Sequence, residues 1–143
     1  MKKRTRAREL ALQFLYQLDL RGSDLMDEAE ESVRTDEADA ETRKFALELI
    51  RGVAEHRARI DDMIQSVAQN WNIARMAVVD RNVLRIATYE LALGKDVPPK
   101  VAINEAIELG KRFSTQNSGA FINGILDKIM NRAKLEASDE TKS

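Results

Sequence analysis

Apolar residues recur along this chain three or four positions apart, the spacing that brings side chains onto one face of a helix. Ala7, Leu10, Ala11, Phe14, Leu15 and Leu18 predict a first helix from about Thr5 to Leu20, ended by Gly22. Ser23 to Arg34 reads as a weaker, acidic helix with Leu25, Met26, Ala29 and Val33 on its buried side, and Thr35 to Ala40 as a loop. Phe45, Ala46, Leu49, Ile50 and Val53 mark a strong third helix. The pattern continues through Ile60, Met63, Ile64 and Val67, but Gly52 and a change of stripe near His56 and Arg57 divide it in two. Trp71, flanked by Asn70 and Asn72, is expected to plug a seam between packed helices. The next helix takes Val79 to Leu93, with Val79, Val83, Ile86, Ala87 and Leu91 inward and Gly94 as its stop.

The stretch from Val97 to Met130 is the best defined. Pro98 and Pro99 open a helix, because a proline in the first turn gives up an N–H that has no partner there anyway. Ala102, Ile103, Ala106, Ile107, Leu109, Gly110 and Phe113 come next at helical spacing. Ser114 to Gly119 breaks the pattern with turn formers, and Asn117 or Ser118 can cap the last helix. Phe121, Ile122, Ile125, Leu126 and Ile129 form the stripe of that helix. Gly119 and Gly124 each cost about 1 kcal/mol of helix propensity, so they suggest close backbone approach, or a cap at Gly119.

These stripes predict an all-α fold, a compact bundle of about seven helices in two packed helical subdomains. One domain over 1–135 is expected, with halves at about 1–70 and 71–135 and a polar, disordered tail at 136–143. A composition 43% hydrophobic provides for a core, and two prolines and six glycines suit helices. No apolar run approaches the roughly 20 residues of a membrane helix. The basic start lacks the apolar core of a signal peptide, so a cytoplasmic protein without membrane contact is expected. The absence of cysteine excludes disulfides, thiol catalysis and cysteine-ligated zinc.

Net charge is −1, but its distribution is uneven. Residues 1–8 carry Lys2, Lys3, Arg4, Arg6 and Arg8 and no acid, whereas residues 24–41 carry nine acids against Arg34 alone. The acidic run reads as a solvated face; shielding of the basic end by these acids is the sharper alternative. The basic end can neutralise phosphates, although by itself it is equally a solubilising tail. A second set favours RNA. Lys111, Arg112, Gln116 and Asn117, with Phe121 after them, put cations beside amides and an aromatic, the chemistry that reads unstacked single-stranded bases. Phe121 also begins an apolar stripe, so core is its other reading. Gln13 and Tyr16 share a helix face with Arg6 and Glu9 and extend the N-terminal cluster.

Catalysis has little to stand on. His56 is the single histidine and sits among Glu55, Arg57 and Arg59 as a helix-end residue. Glu105 and Glu108 share a helix side but lack the Glu-x-x-His pairs of helical di-iron sites. There is no phosphate-binding glycine loop. The reading is a non-enzymatic protein with no cofactor and no metal.

The run Lys100 to Leu109 (KVAINEAIEL), and after it Phe121 to Lys128 (FINGILDK), strongly resembles the NusB family of bacterial transcription antitermination factors. Val83 to Leu91 (VLRIATYEL), Arg8 to Gln13 (RELALQ) and Tyr16 continue the resemblance in family order over nearly the whole chain. It implies two small helical subdomains and an adaptor that binds single-stranded boxA RNA together with NusE, a small-subunit ribosomal protein. The pair joins the RNA polymerase elongation complex with other Nus factors, notably on ribosomal RNA operons. Carried over by motif, the RNA-contacting residues are Arg4, Arg6 and Arg8 within the Lys2–Arg8 cluster, with Gln13 and Tyr16, and then Gln116, Asn117, Ser118 and Phe121 of the connector. The partner-protein surface falls near Asp80. Asn117 replaces an aspartate found in the family, and a neutral amide repels RNA phosphate less.

The same resemblance allows two rival readings. NusB-like domains also occur fused to ribosomal RNA cytosine methyltransferases, but 143 residues leave no room for a methyl-donor domain, and the chain is expected to be complete. A protein-binding scaffold or homodimer, in which the basic end is incidental or covered, is the other.

Overall fold

The computed structural model describes the backbone of residues 2–94 and 96–142 and side chains as far as Glu136. Among the described residues there are seven α-helices, two short 3-10 segments and no strand. The chain divides into two compact units, Met1–Arg57 and Ala58–Ser143.

In the first unit, α1 (Lys3–Arg21) buries the expected stripe Ala7, Leu10, Ala11, Phe14, Leu15 and Leu18 and packs on α3 (Ala40–Glu55). Gly22 stops α1 at φ +105°, a left-handed conformation that costs glycine little, and its N–H donates to the Leu18 carbonyl at 2.9 Å. The acidic stretch is not one helix. A 3-10 segment (Ser23–Glu28) leads into α2 (Ala29–Asp36), which anchors through Ala29 and Val33. α3 then buries Ala46, Leu49, Ile50 and Val53.

The second unit begins at the start of α4 (Arg57–Val67), upstream of the boundary expected near residue 70. Side chains explain the shift. Arg85 of α5 (Val78–Ala92) grips Asp61 with two hydrogen bonds, Nε at 2.8 Å and Nη2 at 3.0 Å, and Arg132 donates to Ser66, so α4 is tied to the helices after it. α5, α6 (Pro99–Phe113) and α7 (Ser118–Lys142) pack on one another around Val83, Ile86, Ala102, Ala106, Ile122 and Leu126. Pro98 and Pro99 open α6 as expected.

The glycines behave differently from one another. A Cβ on Gly110 would collide with the Ile122 side chain, and one on Gly119 would come within 2.9 Å of Lys111 Cε, so α6 and α7 converge just where the connector joins them. Gly124, expected to mark a close approach, has nothing within 4 Å of such a Cβ. The helical backbone of α7 runs through Lys142, across most of the stretch expected as a tail; Ser143 lies outside the described residues.

Candidate nucleic-acid interface

The expected contact residues are distributed over both units. In the first, they start from the first turn of α1. Lys2 and Arg4 are exposed, Arg4 placing its guanidinium carbon 4.6 Å from the centroid of the Phe45 ring. Lys3 donates to Glu41 Oε2 at 3.0 Å and lies 3.4 Å from Asp39. Its ammonium is held above the usual lysine range, chiefly by the Glu41 hydrogen bond and then by that to Asp39. Arg6, one-third exposed, is engaged by Glu37 at 3.3 Å, by Glu9 at 3.4 Å and by the Asp36 carbonyl at 3.4 Å. The segment from Asp36 to Glu41 is therefore not simply a solvated face, since it lies on two of the cations. The acids of the 3-10 segment and α2 before it, Asp24, Asp27, Glu28, Glu30 and Glu31, are exposed.

Arg8 departs from expectation. It is 2% exposed, with its guanidinium carbon 5.4 Å from the same Phe45 centroid, and so it is a structural side chain rather than one presented to a ligand. The helical period explains this: Arg8 stands between Ala7 and the pair Leu10 and Ala11, all buried, and only its length lets its charge reach an aromatic face. Gln13 is exposed at a cleft of about 560 Å³ between α1, the 3-10 segment and α2, and Tyr16 is half-buried.

In the second unit, Lys111, Arg112, Gln116 and Asn117 are all exposed around the α6–α7 connector. Lys111 sits 3.9 Å from Glu108, and Arg112 lies over Phe113, which is exposed rather than part of the stripe. Ser118 is the exception. It is 3% exposed, and its hydroxyl bonds Ser114 and Thr115, each at 3.1 Å, so it fixes the connector from inside. Phe121 is half-buried, not core, and meets Trp71 edge to face with centroids 5.5 Å apart and planes at 73°.

Trp71 is the main correction. It plugs no seam, because 58% of its surface is exposed. It shares a cleft of about 480 Å³ with Gln65, Gln69, Asn70, Asn72 and Arg75. The signal in the sequence is its flanking residues, amides on both sides where a seam residue would have apolar neighbours. Asp80 lies in the first turn of α5, where a carboxylate suits the positive end of the helix. Its Oδ1 is buried and, among the described residues, has no hydrogen-bond partner.

His56 caps the C-terminus of α3. Among the described residues no group of three or more histidines and carboxylates is placed to hold a metal ion, and no helix is long and apolar enough to cross a membrane.

Comparison with known proteins gives concordant results. The family model described as "NusB family" matches residues 5–131. A protein of Anaeromyxobacter sp. (strain Fw109-5), named transcription antitermination protein NusB, is 55% identical over 128 residues, covering 89% of each chain. The solved structure of T. maritima NusB superposes with a TM-score of 0.82 at 44% identity, covering 90% of both chains. A solved complex of the antitermination factors NusB and NusE with double-stranded RNA matches at a TM-score of 0.82 and 28% identity, over 92% of this chain and 98% of that one.

Proposed function

The chain belongs to the NusB family, and from that premise we propose that it is a non-catalytic adaptor in transcription antitermination that binds RNA together with NusE. One observation carries this: the match over 92% of the chain to a NusB solved with both NusE and RNA. The RNA is a single-stranded boxA element, the assembly is the elongating RNA polymerase with other Nus factors on ribosomal RNA operons, and the compartment is the cytoplasm.

The side chains support a division of labour. Lys2, Arg4, Lys111 and Arg112 are exposed cations for phosphates, which fix position and give salt-dependent affinity. Gln13, Gln116 and Asn117 offer amides to base edges, and Tyr16 and Phe121 offer half-open rings for stacking. Lys3 and Arg6 contribute by exchanging their carboxylate partners for phosphate. Arg8 and Ser118 act behind the surface, holding α1 and the connector in shape. Asp80, half-buried in the first turn of α5, marks the face for the protein partner.

Fluorescence anisotropy of a labelled boxA-type RNA, at two salt concentrations and with and without NusE, tests this reading. Binding is expected to tighten when NusE is added, to weaken as salt rises, and to exceed that of a scrambled RNA. The Lys111→Ala/Arg112→Ala double variant should bind about tenfold more weakly, with the logarithmic salt slope reduced by about 0.7 for each phosphate left unneutralised. Equal weak binding of both RNAs, indifferent to NusE, would reduce the basic residues to a nonspecific anion site and sink the proposal.

A further inference from the structure

We propose that Trp71 is a stacking platform for an unpaired base of the RNA bound at the connector, with Phe121 packed against it at a steep angle and Arg75 beside it. This rests on the RNA-binding reading above. An indole gains from burial, so a ring left 58% exposed forgoes that stabilisation. Its loop is nevertheless firmly built. Gln65 Nε2 donates to the carbonyls of Trp71 at 2.7 Å and Ala68 at 3.1 Å, and its Oε1 accepts from Ile73 N–H at 2.9 Å. Trp71 N–H donates to the Ala68 carbonyl, and Asn72 caps the 3-10 segment Ile73–Arg75 through Ala74 N–H at 2.9 Å. The backbone on both sides of the ring is thus fixed before any ligand arrives, which lowers the ordering cost of binding.

The surroundings select the occupant. Gln69, Asn70, Asn72 and Arg75 line the same cleft, and among the described residues no carboxylate does. Amides supply the paired donor and acceptor that a base edge needs, and an arginine supplies a phosphate contact or a second planar surface. A protein-binding anchor would be expected among apolar neighbours; apart from Phe121, this ring is set among amides and one cation. Continuity points the same way. Trp71 touches Phe121, which stands in the first turn of α7 directly after the exposed Gln116 and Asn117, all within one unit.

Trp71 is the single tryptophan of the chain, so its emission reads the platform directly. The full chain is titrated with short boxA-type single-stranded RNA while Trp71 fluorescence and the anisotropy of the labelled RNA are followed together. Quenching that saturates with the anisotropy is expected. Trp71→Ala should weaken binding about tenfold with the salt slope unchanged, since no charge is removed, and Trp71→Phe should recover most of the affinity. RNA that binds while Trp71 emission and the affinity of both variants stay unchanged overturns the platform and leaves the adaptor reading intact. No RNA binding by the wild-type chain overturns both. Emission that responds to NusE alone and not to RNA assigns the ring to a protein partner and also overturns the platform.

Discussion

Asp39 shows how one half-buried carboxylate can serve two structures. Its Oδ2 accepts from Thr42 N–H at 3.0 Å and from the Thr42 hydroxyl at 2.8 Å, closing the start of α3, while Oδ1 lies 3.4 Å from Lys3. The Thr42 backbone hydrogen bond, and after it the hydroxyl one, holds its pKa below the ordinary 3.8. A depressed carboxylate pKa means that the unfolded chain takes up the proton first. The stabilisation is therefore complete above about pH 4 and is lost as pH falls through the folded pKa. Lys3 has the opposite sign. Raised above 10.5, its contribution is present below that pH and is lost as pH rises through the folded value. Thermal melts across pH should show wild type more stable than Asp39→Ala at about pH 6, with that gap narrowing progressively as pH falls below about 4; a gap independent of pH would mean that the carboxylate is not the cap. At this scale the sequence is an incomplete guide. The charge of Arg8 is plain in it, but the burial of Arg8 depends on Phe45 of α3, and no local pattern reveals which ring a long side chain will reach.

At the scale of the element, the geometry around the connector is set by two glycines that look alike in sequence. Gly110→Ala would gain about 1 kcal/mol of helix propensity but press a methyl into Ile122, which is fully buried and has little room to yield. Overpacking of this kind costs about 1–3 kcal/mol, so a net loss of about 1 kcal/mol is expected. Gly124→Ala meets nothing and sits on an exposed turn of α7, so it should gain about 0.5–1 kcal/mol. Urea midpoints moving in opposite directions would bear this out, and equal shifts would show that propensity alone governs both sites. Helix positions themselves are largely legible, because each stripe has a face to bury. The helix expected from Thr5 to Leu20 runs Lys3–Arg21; that expected from Val79 to Leu93 runs Val78–Ala92. The acidic stretch reads as one helix because Leu25 and Met26 keep its spacing, yet both are only half-buried and too weakly anchored to hold an α-helical turn. Trp71 misleads for a related reason. Its exposure is decided by the Gln65 hydrogen bonds to the loop backbone, which hydrophobicity does not report.

At the scale of the molecule, the division at Arg57 makes the Asp61–Arg85 pair a test of what belongs to the second unit. Arg85 is 3% exposed and Asp61 partly so; Asp61→Ala takes from a buried guanidinium the carboxylate that receives two of its hydrogen bonds. A loss of about 3 kcal/mol is expected. Amide hydrogen exchange should show protection falling in α4 and α5, and unchanged protection there would mean that the pair contributes nothing net. The overall charge of −1 hides a last property of the chain. In the language of ion exchange, Glu37, Asp39 and Glu41 are counterions that the protein carries with it, already seated on Lys3 and Arg6. A polyanion reaching those cations must displace a carboxylate, and each carboxylate set free collects a cation from solution, offsetting one that the polyanion releases. The salt dependence of binding at this end of the molecule therefore counts fewer phosphates than are touched.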